Sequence, residues 1–318
     1  MSKQLPPYVK RGGEQVYASP FIAEGVEFFG FAVKADPDAL QKNICDHFLN
    51  GPLGETDRFV PLTDNVLFVF NTIESLYSKP EPFNSMGWFP EKEAAVWTAL
   101  VDREREQLFW FHPYMIVDLS YAMAMGRELY GFPKTIGWHD IPKGPDAPTT
   151  LSVETVVVEE FTAKCEGKRE LLFSVNQNDS NKFRESLNFS SLTEFATQII
   201  HTLKIEDSII KDIKLAEHLF EDLVKLQMPM AFLKQFRDGV DPTRACYQAL
   251  QEVVSRVTKL DGANVFHHGY EIDINDFASH PIRADLGLPS GPIASEISFW
   301  TRFDFEIDNC SVVQEITS

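Results

Sequence analysis

Short runs of β-branched and aromatic residues recur along this sequence, and amphipathic helix patterns do not alternate with them. Val26-Glu27-Phe28-Phe29-Gly30-Phe31-Ala32-Val33, Val66-Leu67-Phe68-Val69-Phe70-Asn71 and Glu93-Ala94-Ala95-Val96-Trp97-Thr98-Ala99-Leu100-Val101 all have strand composition. Thr150–Val158 and Arg169–Val175 face one another across Glu166-Gly167-Lys168 as a hairpin. Val265–Ile274 and Ser298–Ile307 alternate apolar and polar residues, the second run closing the sheet. Many strands without βαβ alternation predict an α+β fold with a large antiparallel β-sheet.

Helices are fewer. Asp36-Pro37-Asp38 reads as a helix start leading into Ala39–Cys45. A helical block is expected at about 191–226. Ser191 and Glu194 have capping-box spacing there, Phe195, Ile199, Ile200 and Leu203 recur at helical intervals, and a second helix follows from about Ile205 to Leu226. Residues 1–24 read as an irregular, partly extended arm. Loops are expected between Pro80 and Trp88 and between His280 and Pro292. With no internal repeat or low-complexity tract, 1–318 is read as a single domain.

Charge excludes some partners. A formal net charge of -18 argues against nucleic acid and anionic membrane surfaces. No run approaches the ~20 apolar residues of a membrane span. The N-terminus lacks the apolar core of a signal peptide. Cys45, Cys165, Cys246 and Cys310 are scattered without ligand spacing and read as free thiols in a reducing compartment, so a cytoplasmic location is expected. The 26 phenylalanines predict a thick aromatic core. The eight histidines show no spacing that places two ligands on one face, so no metal is expected. Glycine-rich phosphate loops and nucleophile elbows are absent, so no nucleotide cofactor is inferred.

The chemistry centres on Gly126-Arg127-Glu128-Leu129-Tyr130-Gly131-Phe132-Pro133-Lys134-Thr135. Pro133 fixes its own φ and pushes Phe132 towards an extended conformation. A lysine held rigidly against apolar side chains is open to desolvation, which lowers its pKa. A neutral amine attacks a carbonyl carbon to give a Schiff base. Most lysines beside a proline are simply solvated, and on physical grounds alone both readings stay open.

This segment resembles the active-site segment of the acetoacetate decarboxylase family, whose Schiff-base lysine lies at the end of a run of Gly-Arg-Glu, three residues and aromatic-Pro-Lys. Ala35-Asp36-Pro37-Asp38-Ala39-Leu40 resembles the same family's opening helix start, and Met230–Phe236 with Arg244–Leu250 resembles its hairpin. The resemblance implies a sheet closed into a barrel-like core flanked by helices, with Lys134 as the Schiff-base lysine. It also implies an acid/base carboxylate in an aromatic-x-Glu segment, which Phe89-Pro90-Glu91 fits, with Glu93 a rival two residues on. On a strand the two share a face. Solvated acids in a loop are an equal reading. Around the substrate, Arg127, Tyr130, Phe132, Thr135 and Gln235 are pocket candidates, Arg127 reading as well as a structural pair with Glu128.

Three positions depart from the family's decarboxylases. Thr135 stands where they carry a second lysine, Val26 where they carry arginine, and Val69 where they carry glutamate. The expected function is therefore that of a divergent, cofactor-free lyase acting on a small-molecule keto acid. It would decarboxylate a 3-oxo acid, or carry out aldol or dehydration chemistry with a pyruvate-like acid. The alternative is a non-catalytic binder of an apolar carboxylate or carbonyl ligand. A homo-oligomer is expected, C2 dimers being commonest.

Overall fold

Three long strands carry alternate side chains to two separate hydrophobic cores. They are β1 (Phe21–Lys34), β2 (Phe59–Ser78) and β3 (Phe89–Asp102). On one face, Phe29, Phe31, Phe68, Phe70, Ala94 and Val96 enter the first core. On the other, Phe28, Ala32, Val69, Ile73 and Ala95 enter the second. The period of two along a strand makes this division automatic. It also accounts for the phenylalanine content, because both faces of this sheet are buried. The computed structural model describes residues 6–9, 17–144, 146, 148–178, 187–189, 194, 197 and 227–316. Apart from Glu194 and Thr197, the helical block expected at about 191–226 lies outside the described residues.

The remaining strands are β4 (Gln107–Val117), β5 (Lys134–Asp140), β6 (Thr150–Val157), β7 (Lys168–Asn178), β8 (Leu187–Phe189), β9 (Gln227–Arg237), β10 (Ala245–Val265), β11 (Gly269–Ile274), β12 (Ile293–Ala294), β13 (Ile297–Ile307) and β14 (Ser311–Glu315). Their order is β12-β11-β7-β6-β5-β4-β3-β2-β1-β13-β10-β14, with β8 on β10, and β9 on both β10 and β4. The hairpins β6–β7 and β9–β10 form as expected.

The expectation of an antiparallel, barrel-like closed sheet is overturned. The sheet is mixed, since β5 runs parallel to β4 from Met115↔Lys134 to Val117↔Ile136. Strand β9 returns the path to β4 through one parallel pairing alone, Trp110↔Met230. A ring joined at a single residue pair, from which strands branch and at whose sides the path runs on to free ends, is not a barrel. The parallel step has a physical cause. The connection from β4 to β5 is a helical crossover rather than a hairpin, and a crossover delivers the next strand in the same direction.

Helices cover the sheet. Asp36 caps the turn Pro37–Ala39, its carboxylate accepting from the backbone N–H of Asp38 at 2.8 Å and of Ala39 at 3.3 Å. The chain then winds into α1 (Leu40–Asn50), a wide π-type helix whose Leu40, Ile44, Cys45 and Leu49 pack into the first core. The crossover helix α2 (Ser120–Met125) buries Ala122 and Met125. The loop expected between His280 and Pro292 contains α3 (Ile282–Leu286), whose Ile282 and Leu286 also join the first core. No helix among the described residues is long and apolar enough to cross a membrane.

Candidate active site

The lysine segment begins as the end of α2 and changes pitch. Gly126–Tyr130 forms a π-type turn, in which the backbone N–H of Gly131 donates to Gly126 O at 2.9 Å and that of Phe132 to the same oxygen at 3.0 Å. Such wide turns are frequent at functional sites. Gly131 ends the turn with φ +87°, a left-handed conformation in which a side chain would also collide with the Lys234 backbone. Gly126 leaves room for the lysine itself, because a Cβ there would lie 2.6 Å from Lys134 Cδ. Pro133 then delivers Lys134 as the first residue of β5, opposite Met115.

Lys134 points into a cavity of about 120 Å³ on the second-core side of the sheet. The lining is mostly apolar, with Phe21, Phe28, Met115, Met125, Met230 and Phe303 among its walls. Alternation on β3 brings Glu91 and Glu93 to the same wall, one face of the strand, as expected from their spacing. Lys134 Nζ donates to Glu91 Oε1 at 2.6 Å and lies 3.4 Å from Glu93 Oε2. The Asn71 side chain, across from Glu93 on β2, donates to Glu93 Oε1 at 3.0 Å.

All three charged groups are buried. Desolvation alone would lower the Lys134 pKa, but Glu91 and Glu93 outweigh it and hold the ammonium above its ordinary value. The sequence-based expectation of a depressed lysine pKa is therefore corrected. A lysine in an apolar wall is desolvated, but two carboxylates within salt-bridge distance reverse the sign. Glu91 is pushed up chiefly by burial, with Lys134 opposing and Glu93 reinforcing. The two members of the pair thus compete for one proton across 2.6 Å.

Of the expected pocket residues, Tyr130 and Phe132 line the cavity, Phe132 with its ring centroid 5.6 Å from Lys134 Nζ. Burial raises the Tyr130 pKa, so its phenol stays neutral, donating to Asp308 O at 3.2 Å. Three residues expected in the pocket do not line it. Arg127 donates back to Lys134 O at 3.3 Å, a backbone contact that fixes the turn. Thr135 faces away from Lys134 by strand alternation, with its hydroxyl 3.5 Å from Met115 O. Gln235 is exposed near the end of β9 and accepts from Gln248 Nε2 at 2.9 Å. Val26, by contrast, lines the cavity. The neighbouring Glu27 and Glu74 are taken up in ion pairs with Arg302 at 3.1 and 2.9 Å.

Asn71 and His112 are cavity residues that sequence reasoning missed. His112 is fully buried, and burial followed by the charge of Lys134 pushes its pKa down to about 3, so the ring is neutral. Pro113 was the available signal, because proline within an apolar strand marks an edge or a bulge. The β3–β4 register shifts between Val96↔Tyr114 and Thr98↔Phe111, so Trp97 opposes both His112 and Pro113.

The sequence of residues 5–234 matches the family model described as acetoacetate decarboxylase (ADC). The chain belongs to the acetoacetate decarboxylase family. Solved structures agree in fold. Acetoacetate decarboxylase from Legionella pneumophila is 16% identical, with 99% of this chain and 93% of that chain covered and a TM-score of 0.61. An acetoacetate decarboxylase-like enzyme from Sphingomonas wittichii RW1 is 12% identical, with 96% and 98% covered and a TM-score of 0.57. The enduracididine biosynthesis enzyme MppR, complexed with pyruvate, is 12% identical, with 96% and 95% covered and a TM-score of 0.55. No curated protein is significantly similar to the chain in sequence. Identities this low place the chain as a divergent member of the acetoacetate decarboxylase family.

Proposed function

We propose that this chain is a lyase acting on a keto acid through a Schiff base at Lys134. The observation that carries the reading is the Lys134 amine, buried in an apolar cavity with Glu91 Oε1 2.6 Å away. The resting amine is an ammonium and not nucleophilic. Its proton passes to Glu91, which burial predisposes to accept it. The freed amine adds to the keto carbon, and Glu91 returns the proton to the carbinolamine oxygen as water leaves. With the iminium as electron sink, a 3-oxo acid loses CO2 or an adjacent carbon–carbon bond breaks, and an enamine remains. Glu91, left as a carboxylate when water departs, takes up a proton from solvent and delivers it to the enamine carbon, and water then releases the product from Lys134. In the condensing direction the Glu91 carboxylate removes an α-proton from a pyruvate-like iminium. The enamine so formed attacks an aldehyde carbon, returning to the iminium as the aldehyde oxygen takes the proton. Glu93, anchored by Asn71, keeps a second negative charge beside the iminium.

This route replaces what a second cation would do. With Thr135 turned towards backbone, no lysine follows Lys134 to depress its pKa. Transfer to Glu91 supplies the neutral amine instead. The apolar walls exclude water during the transfer.

The test is borohydride trapping with acetoacetate, pyruvate and a longer 3-oxo acid in separate incubations, followed by digestion and mass spectrometry. The expected result is a reduced adduct on Lys134 that is lost in Lys134→Ala. No adduct with any of the acids, in folded protein, overturns the reading.

The raised pKa of Lys134 favours one second reading. An ammonium that stays paired with Glu91 and Glu93 suits a non-catalytic site in which the apolar walls, rather than Lys134, hold a carboxylate or carbonyl ligand. That reading requires ligand binding that survives Lys134→Ala, and no adduct.

A further inference from the structure

His112 is a hydrogen-bonding group that the chemistry at Lys134 leaves unused. The side chain is completely buried and lines the cavity, and neither ring nitrogen has a partner among the described residues. Its neighbours are aromatic. Trp97 stands with its ring centroid at 4.4 Å in an edge-on arrangement, Phe232 stacks at 5.5 Å, and Phe132 lies at 5.9 Å. Buried polar groups are nearly always paired, and one with two unmade bonds calls for an explanation. A leucine would pack in this cage without that penalty.

The backbone is built to aim the ring here. Phe111, Tyr114 and Ile116 pack with the first core, whereas Met115 faces the second. Without the bulge opposite Trp97, alternation would send His112 to the face of Tyr114 and Ile116. The extra residue, with Pro113 unable to donate to the ladder, turns His112 into the cavity instead. Bulges re-aim side chains in this way beside active sites.

A neutral imidazole offers one N–H donor and one acceptor nitrogen. A hydroxyl group, being donor and acceptor itself, pairs with whichever ring nitrogen faces the cavity in either tautomer. A second carboxylate would need a cation, and the ammonium of Lys134 is already opposed by Glu91 and Glu93. His112 lies three residues along β4 from Met115, the register partner of Lys134, a backbone separation of roughly 10 Å.

We infer that His112 is a specificity-determining residue that hydrogen-bonds a hydroxyl carried several carbons from the reacting carbonyl, making hydroxylated keto acids the preferred substrate class. This rests on the Schiff-base reading of Lys134 for the reaction, but contact at His112 is measurable without it.

The experiment compares 2-oxohexanoate with 5-hydroxy-2-oxohexanoate and 6-hydroxy-2-oxohexanoate, using two readouts. One is the concentration giving half-maximal borohydride labelling of Lys134. The other is the ¹⁵N shift of the His112 ring nitrogens in histidine-labelled wild-type protein. The expected result is at least tenfold lower half-labelling concentration for a hydroxylated acid, with the His112 signals moving on its addition. In His112→Leu the acids should then label within about twofold of one another, an apolar pocket discriminating weakly against an added hydroxyl. No preference in the wild type, a preference that survives His112→Leu, or unmoved ¹⁵N signals despite labelling would overturn the inference and leave Lys134 chemistry standing. Signals that move only with a hydroxylated acid, without any adduct, would uphold His112 and sink the Schiff base. Should His112→Leu fail to fold, the wild-type ¹⁵N response decides alone.

Discussion

At the scale of single residues, the site is a contest over one proton. Glu91 holds the Lys134 ammonium and, in the proposed reaction, takes its proton, so the two roles separate in Glu91→Gln. Loss of that carboxylate removes the largest influence raising the lysine pKa and leaves desolvation less opposed. The pH midpoint for borohydride labelling should therefore move to lower pH. Turnover should nevertheless fall by roughly 10²–10⁴-fold, the usual loss when a positioned acid/base is removed. Labelling and steady-state rate, measured across pH on the same variant, check both halves, and a midpoint that moves upward contradicts the geometry. His112 and His139 give a second, purely thermodynamic prediction. Burial lowers their pKa values from 6.5 to about 3 and about 4. The unfolded chain then binds protons that the folded chain refuses, so stability is present above 6.5 and is lost as pH falls through that window. The slope is about 1.4 kcal/mol per pH unit for each such histidine. Thermal melts between pH 7 and 4 should show the decline, and His112→Leu should flatten it.

At the scale of elements, the π-type turn and the bulge on β4 decide where side chains point. Gly126 sits where the turn passes against the lysine stem, and an added Cβ would meet Lys134 Cδ at 2.6 Å and Cε at 3.1 Å. Gly126→Ala should therefore leave the fold in place but displace the amine from Glu91. A misplacement of about 1 Å costs on the order of 10²-fold in rate. A labelling rate at wild-type level would show that the amine had room to spare. Gly131→Ala is a different case, because its φ of +87° and its contact with the Lys234 backbone at 2.7 Å are not relieved by rotating a side chain. A stability loss of about 1–3 kcal/mol is expected from that strain, read by urea unfolding.

Across the whole molecule, distant parts of the chain are tied at buried polar points. Arg58, just before β2, makes a paired contact to Asp102 at the end of β3, at 3.1 and 3.0 Å, and also reaches Gln314 of β14 at 3.3 Å. Asp102 is fully buried, so Asp102→Ala removes the paired contact and leaves Arg58 with the exposed Glu104 at 2.8 Å as its remaining carboxylate. Breaking a buried pair outright costs roughly 3–5 kcal/mol, and a smaller loss is expected here, measurable as a lower denaturant midpoint with labelling at Lys134 retained in the folded fraction.

The same scale separates what was legible from what was not. Local pattern was enough for strands β1 to β3, the helix start at Asp36 and the shared face of Glu91 and Glu93, the cause in each case being periodicity or capping within a few residues. Lys134 was singled out by resemblance to the family's segment, local physics leaving a solvated lysine equally open. The direction of β5 was not local, since it follows from the crossover through α2 and the Gly126 turn, and the expected antiparallel closure failed there. Nor was the sign of the Lys134 pKa shift, which depends on carboxylates more than forty positions away in sequence. Thr135 and Gln235 were placed in the pocket by nearness to a motif, but strand alternation and the exposed end of β9 took them out. Asn71 and His112 entered it through cross-strand register and a bulge. The sequence by itself determined which residues have the chemistry to act, because side-chain type and short-range spacing are written along the chain. Tertiary structure alone decided which of them meet and with what charge, because register, strand direction and burial arise between segments rather than within them.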